Sequence, residues 1–275
     1  MKNAMSLKAA IRNRAKELQI PPQVLLQNLM FERFLLRLSK SPYRNKFIVK
    51  GGMLISATLG LSRRSTMDLD LTLLGLDLKI ETLKIAIQDV CAIDLADGFS
   101  LCVNRLEPIR EDDLYGGYRV FLDARYDFIH VPMSIDVSTG DAITPGAQRM
   151  TIVGALDDSV KIRLQGYNLE TVLAEKVEAI LSRSIFNTRP RDFYDVCALT
   201  KLCKFDKGLF RQALVATSTH RNSADKIKDE NAILKRIETS EDLEVLWNKY
   251  SQQFPYAKGL SFVDVVDALR KLLLG

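Results

Sequence analysis

Apolar positions recur every three to four residues from Ser6 to Leu18 and again from Val24 to Leu38, the spacing of two amphipathic helices. Ser6 is placed to cap the first, and Ile20-Pro21-Pro22 ends it. The second carries a broad apolar face of Leu25, Leu26, Leu29, Phe34, Leu35 and Leu38. Lys46 to Lys50 then reads as a short strand entering the Gly51-Gly52 turn, and Met53 to Leu59 as a helix behind it. Around Asp68 and Asp70 the pattern becomes strict alternation, which predicts a strand, and Leu78 to Ile93 returns to helical period. Phe99–Leu106, Tyr118–Tyr126 and Val131–Val137 alternate and are rich in β-branched and aromatic residues, as antiparallel strands continuing that sheet would be.

From Asn168 to the end the pattern is helical, with candidate helices over Leu169–Ile185, Arg191–Leu202, Lys207–Ala216, Glu241–Phe254 and Val263–Leu274. A strand-rich first half and a helical second half predict an α+β chain of two domains, residues 1–160 and 161–275.

The alternation places both carboxylates of Asp68-Leu69-Asp70 on one face of a strand, roughly 6–7 Å apart. Hard divalent cations take oxygen ligands, so the pair suits Mg²⁺ or Mn²⁺ at a phosphoryl-transfer site. The upstream glycines offer backbone that can approach a phosphate, with a helix N-terminus facing the anion. In Ile135-Asp136-Val137 a carboxylate lies between two aliphatics, where burial is costly without a cation. Asp136 is therefore a candidate third metal carboxylate; an edge-strand or turn aspartate is the alternative.

In the helical half, Lys176 and Arg183 lie two turns apart on one face with Ala179 and Ile180 between them. Either an anion such as a triphosphate lies opposite, or the two side chains snorkel at a domain interface. Pro190 fits the first turn of the next helix, where the dipole favours Asp192. Asp192 and Asp195, at i and i+3, repel each other unless cations such as Arg189 and Arg191 compensate.

Composition narrows the class. With 275 residues, 47% hydrophobic and 27% charged, the chain is long enough for a good core and ordinary for a globular protein. No apolar run is long enough to span a membrane, and Met1-Lys2-Asn3-Ala4-Met5 lacks a signal-peptide core, so a cytoplasmic protein is expected. The four cysteines and two histidines lack metal-type spacing. The net charge of +5 is unevenly spread. Arg33, Arg37, Lys40, Arg44, Lys46, Lys50, Arg63 and Arg64 fall in a window without an acid, and Lys201 to Lys228 holds seven basic residues against Asp206 and Asp225. Such runs fit a polyanion, or are solvated helix faces.

Lys50-Gly51-Gly52, Ser65-Thr66-Met67-Asp68-Leu69-Asp70, Ala174-Glu175-Lys176 and Arg189-Pro190-Arg191-Asp192-Phe193-Tyr194-Asp195 occur in the order found in the AbiEii family, within the polymerase-β-like nucleotidyltransferase superfamily. The chain resembles that family of nucleotidyltransferase toxins from abortive-infection and toxin–antitoxin systems. Gly52 stands where a serine is common in the wider superfamily, so only backbone contacts to phosphate carry over there.

The resemblance implies a mixed sheet with flanking helices followed by a helical domain. It also implies a metal site of Asp68, Asp70 and Asp136 binding Mg²⁺ or Mn²⁺. The nucleoside triphosphate would be held by Lys50, Gly51, Gly52, Ser65, Thr66, Lys176, Arg183 and Arg191, with Asp192 acting as a base or acceptor-orienting group and Asp195 supporting it. A cognate antitoxin is implied as partner, and as substrate an RNA acceptor, the tRNA 3′ end in related toxins, with GTP or a pyrimidine triphosphate as donor. The alternatives are a nucleotidyltransferase acting on a small molecule or a protein, and a non-catalytic binding module. Retention of both Asp68 and Asp70 argues against the last, and the acid-free basic window against a cationic small-molecule acceptor.

Overall fold

The structure, a computed structural model, describes residues 3–75, 79–109 and 116–275. Its first helix, α1 (Ala4–Leu18), is capped by Asn3, whose side chain accepts from the Ser6 N–H while the Ser6 hydroxyl meets the Asn3 N–H. Ser6 is thus the third residue of a capping box, not the cap. In α2 (Pro22–Lys40) Pro22 occupies the first turn, where a missing N–H costs nothing, so the helix starts two residues before the apolar pattern does. β1 (Phe47–Lys50) runs directly into α3 (Gly51–Leu59), whose first turn contains both glycines.

β2 (Leu69–Leu73) follows, then α4 (Ile80–Cys91); the expected start of that helix at Leu78 lies outside the described residues. β3 (Phe99–Pro108), β4 (Gly117–Tyr126) and β5 (Ile129–Thr139) form an antiparallel meander. Two strands not anticipated, β6 (Gln148–Val153) and β7 (Lys161–Gly166), complete a sheet of seven strands among the described residues, in the order β3-β4-β5-β2-β1-β7-β6. β7 occupies the stretch expected to separate the two halves. The sheet is mixed, because β5 joins β2 in parallel, not antiparallel as the simple continuation predicted, and β7 joins β1 in parallel. Helix α2 packs on β5 and β7, α3 on β1 and β2, and α4 on β3. The core between them contains Leu29, Phe31, Phe34, Val49, Leu71, Ile135 and Val137.

The chain divides into two units, Met1–Gly140 with Gln148–Gly166, and Asp141–Ala147 with Tyr167–Gly275. The second holds α5 (Leu169–Arg183), α6 (Pro190–Leu202), α7 (Lys207–His220), α8 (Glu230–Glu238), α9 (Glu241–Gln253) and α10 (Phe262–Leu274). Helix α8 was not anticipated, although Asp229 caps it and it carries one narrow buried stripe, Ile233, Leu234 and Ile237. The segment 141–147 belongs with the helices through polar ties: Asn168 donates to the Thr144 carbonyl at 2.6 Å, and the Tyr167 hydroxyl to Asp141 at 2.9 Å.

Candidate active site

In the first unit, strand register assembles a row of charges. Lys50 on β1 faces Asp70 on β2, Asp70 faces Asp136 on β5, and Asp136 faces Arg119 on β4. Residues opposite one another in neighbouring strands share a face, so the four side chains form one line across four strands that are spaced about 4.8 Å apart. The buried neighbours Leu69, Leu71, Ile135, Val137 and Val120 point the other way into the core. Asp68, two residues before Asp70, lies just ahead of β2, and its charge, like that of Asp70, acts on Arg119 of β4.

The glycine turn is shaped around this row. Gly51 has φ +62°, and a Cβ there would stand 2.0 Å from the Asp70 Oδ2 atom. A Cβ on Gly52 would stand 2.6 Å from the Thr66 hydroxyl oxygen. The glycines were expected to make room for a phosphate; the structure shows that they first make room for Asp70 and Thr66. Thr66 itself is buried, with its hydroxyl 3.2 Å from both the N–H and the carbonyl of Asp68, and its carbonyl accepts from Asn28 at 2.8 Å. Its hydroxyl therefore fixes the approach of Asp68 to the strand. Ser65, half-buried, offers its carbonyl to the buried Arg64 guanidinium. Lys50 donates to the Ser138 hydroxyl at 2.7 Å, from the position two residues beyond Asp136.

Arg119 was not singled out from the sequence. Its Nε and Nη2 donate to the two oxygens of Asp136 at 2.7 and 2.8 Å, a parallel fork. That bond and the negative charge of Asp136, Asp68 and Asp70 push the guanidinium above its usual range, against the smaller opposing effect of burial. Asp136, expected as a metal ligand, is turned to Arg119, and among the described residues no three His, Cys, Asp or Glu side chains are gathered closely enough to hold an ion. Two carboxylates nevertheless fit Mg²⁺, which is commonly held by one or two acidic side chains with water and substrate phosphate completing its shell. Asp68 and Asp70 are such a pair.

The second unit holds a separate charged cluster. The Lys176 ammonium on α5 lies 2.6 Å from Asp192 and 3.1 Å from Asp195 on α6, and both aspartates are fully buried. Arg189 Nε adds a contact of 3.0 Å to Asp192. Lys176 and Arg189 are thus among the cations that the Asp192–Asp195 pair requires. Lys176, expected at the phosphates, is buried against these two carboxylates. Arg191 is half-buried at the start of α6. Arg183 ends α5 with a buried Nη1 that has no hydrogen-bond partner among the described residues, and burial together with the nearby Arg189 lowers its pKa.

The first basic window is not a free cationic surface. Arg37 is buried and bonds Asp97 and the Phe99 carbonyl, Arg33 pairs with Glu32 and Asp97, and Arg64 is buried. Lys40, Arg44 and Arg63 remain exposed. In the second run, Arg211 and Arg221 are paired with Glu230, Glu175 and Glu178, while Lys201, Lys204, Lys207, Lys226 and Lys228 are exposed.

The chain is similar in fold to a Helicobacter pylori protein described as a candidate nucleotidyltransferase, at TM-score 0.50 and 16% identity over 92% of this chain and 96% of that one. A second crystal structure, JHP933 from Helicobacter pylori, matches at TM-score 0.49 and 18% identity over 92% of each chain. No curated protein matches the sequence. Residues 33–269 match the family described as nucleotidyl transferase AbiEii toxin, type IV TA system. That match takes in the charged row of the sheet, the Lys176 cluster and most of the helical half, and so the chain belongs to the AbiEii family of nucleotidyltransferase toxins of type IV toxin–antitoxin systems.

Proposed function

We propose that the protein transfers a nucleoside monophosphate from a nucleoside triphosphate to an RNA acceptor, the tRNA 3′ end, with divalent Mg²⁺ or Mn²⁺ held by Asp68 and Asp70. The observation that carries this reading is the in-register row Lys50–Asp70–Asp136–Arg119 with Asp70 seated against Gly51. The ion, when bound, supplies charge stabilisation for phosphoryl oxygens. An acceptor hydroxyl attacks the α-phosphorus, the bond to the bridging oxygen breaks, pyrophosphate leaves, and the hydroxyl proton passes to a base.

Lys50 and the backbone of Gly51 and Gly52 bind the triphosphate, Lys50 as a point charge and the glycines through N–H groups at the start of α3. Ser65 flanks the same turn, and Thr66 holds Asp68 in line. In the second unit, Asp192 accepts the proton or orients the acceptor, with Lys176, Arg189 and Asp195 fixing its carboxylate. Arg183 and Arg191 add positive charge for the triphosphate, Arg183 through its unsatisfied Nη1.

The RNA acceptor is supported by the exposed lysines of the 201–228 run and by Lys40, Arg44 and Arg63. The family implies a cognate antitoxin, and abortive infection is the setting proposed for the pair. Among the described residues no helix is long and apolar enough to cross a membrane. Incubation with each labelled triphosphate and total RNA tests the reading. Label is expected on tRNA with wild type and on no species with Asp70→Asn; label on a small molecule or on protein alone overturns the RNA acceptor.

A further inference from the structure

Resting on the nucleotidyltransferase reading, we propose that Arg119 is the resident second cation of the metal site. Anchored by Asp136, it supplies beside Asp68 and Asp70 the positive charge that a second divalent ion would otherwise bring. The chain then works with one ion, and Asp136 serves as the anchor of an arginine, not as a metal ligand.

Three observations converge. Both oxygens of Asp136 are engaged by the Arg119 fork at 2.7 and 2.8 Å, so one lone pair on each is taken and the charge of the carboxylate is already matched by a resident cation. The register places Asp136 between Arg119 and Asp70, so the arginine reaches its anchor and the metal pair from one side of the same face. Arg119 also feels the charge of Asp68 and Asp70 as well as that of its partner.

The chemistry suits the role. A guanidinium stays protonated at any working pH and is more weakly hydrated than an ammonium, and its planar fork matches phosphate as well as carboxylate. Two N–H groups are spent on Asp136; the side chain is about half exposed, which leaves the Nη1 amino group for an anionic substrate. A divalent ion in the same place would need water and several oxygen ligands, and Asp136 alone cannot supply them. Arg119 is a positioning residue in the absence of substrate, and the cation that meets the phosphates once substrate is bound.

Mn²⁺ titration of the full chain, followed by electron paramagnetic resonance, counts bound ions without any turnover. Wild type is expected to bind one Mn²⁺. Arg119→Met should release Asp136 and allow a second, while Arg119→Lys, which keeps the charge, should hold the count at one. Asp136→Asn should change the affinity of the first ion by about threefold at most, whereas Asp70→Asn should weaken it at least tenfold. Two ions on wild type, or Asp136→Asn weakening the first ion as much as Asp70→Asn does, overturns the inference and leaves the nucleotidyltransferase reading standing. Undiminished Mn²⁺ binding in Asp70→Asn overturns the metal-strand reading and the inference with it. The Asp136→Asn comparison decides the matter even if the Arg119 variants fold poorly.

Discussion

At the scale of single residues, Gly51 and Lys176 show how different constraints come to look alike in a sequence. Gly51 is required twice over, by its left-handed backbone and by the Asp70 carboxylate, which fills the space where a side chain would begin. Gly51→Ala is expected to displace Asp70, weakening Mn²⁺ binding at least tenfold and costing about 1–2 kcal/mol in stability from the backbone alone. Titration and urea denaturation of the variant would check both; unchanged metal affinity would show that the carboxylate is not seated there.

Lys176 changes its meaning once its partners are known. The sequence reading leads one to expect that Lys176→Ala harms nucleotide use and leaves stability almost intact. With two fully buried carboxylates dependent on that ammonium, its removal is instead expected to cost about 3–5 kcal/mol, because uncompensated charge stays behind. A denaturation midpoint equal to wild type would contradict this. Replacing Asp192 and Asp195 by Asn in the same variant should restore much of the loss, since the stranded charges then disappear.

At the scale of elements, α2 combines a core-forming face with ion pairs that tie it to the loop before β3. Arg37 donates to Asp97 at 3.1 and 3.4 Å and to the Phe99 carbonyl at 2.6 Å, and Arg33 reaches the same carboxylate. Reversing charge at Arg33, Arg37 and Arg44 together would therefore probe folding before it probed RNA. Arg37→Ala by itself is expected to destabilise by about 3 kcal/mol, measurable by thermal melting, because it leaves Asp97 to the more distant Arg33 and removes the buried donor to the Phe99 carbonyl. Arg44→Glu, at an exposed position in the turn after α2, should leave the melting temperature within about a degree, since an exposed charge contributes only tenths of a kcal/mol. Equal losses in the two variants would remove the distinction.

For the whole molecule, the charge that can meet a long polyanion is limited to exposed cations in each unit. RNA affinity is expected to fall steeply with salt, as condensed counterions are released from each neutralised phosphate. Neutralising Lys40, Arg44 and Arg63, or in a separate variant Lys201, Lys204 and Lys207, should weaken RNA binding and flatten the salt slope by about one for every phosphate that is no longer neutralised. Triphosphate binding should be spared in both. Fluorescence anisotropy of labelled tRNA across a salt series measures this, and a slope near zero in wild type would favour a small acceptor.

The sequence by itself determined what depends on neighbours along the chain. Alternation about Asp68 and Asp70, the paired glycines, the helix period after Asn168 and the Asp192–Asp195 spacing are all local, and each was legible before any strand was paired. β7 was legible in principle, because Lys161-Ile162-Arg163-Leu164 alternates exposed and buried, but only its pairing with β1 distinguishes such a short run from a linker. The tertiary structure decided everything that depends on register and on distant charge. Arg119 stands beside Asp136 because β4 and β5 pair residues seventeen apart, and Arg37 is neutralised by an aspartate sixty residues away. A window of sequence records that a residue is charged; whether that charge meets solvent, a substrate or a buried partner is fixed by which strands and helices come together, since electrostatic energy depends on separation in space and on burial, not on separation along the chain.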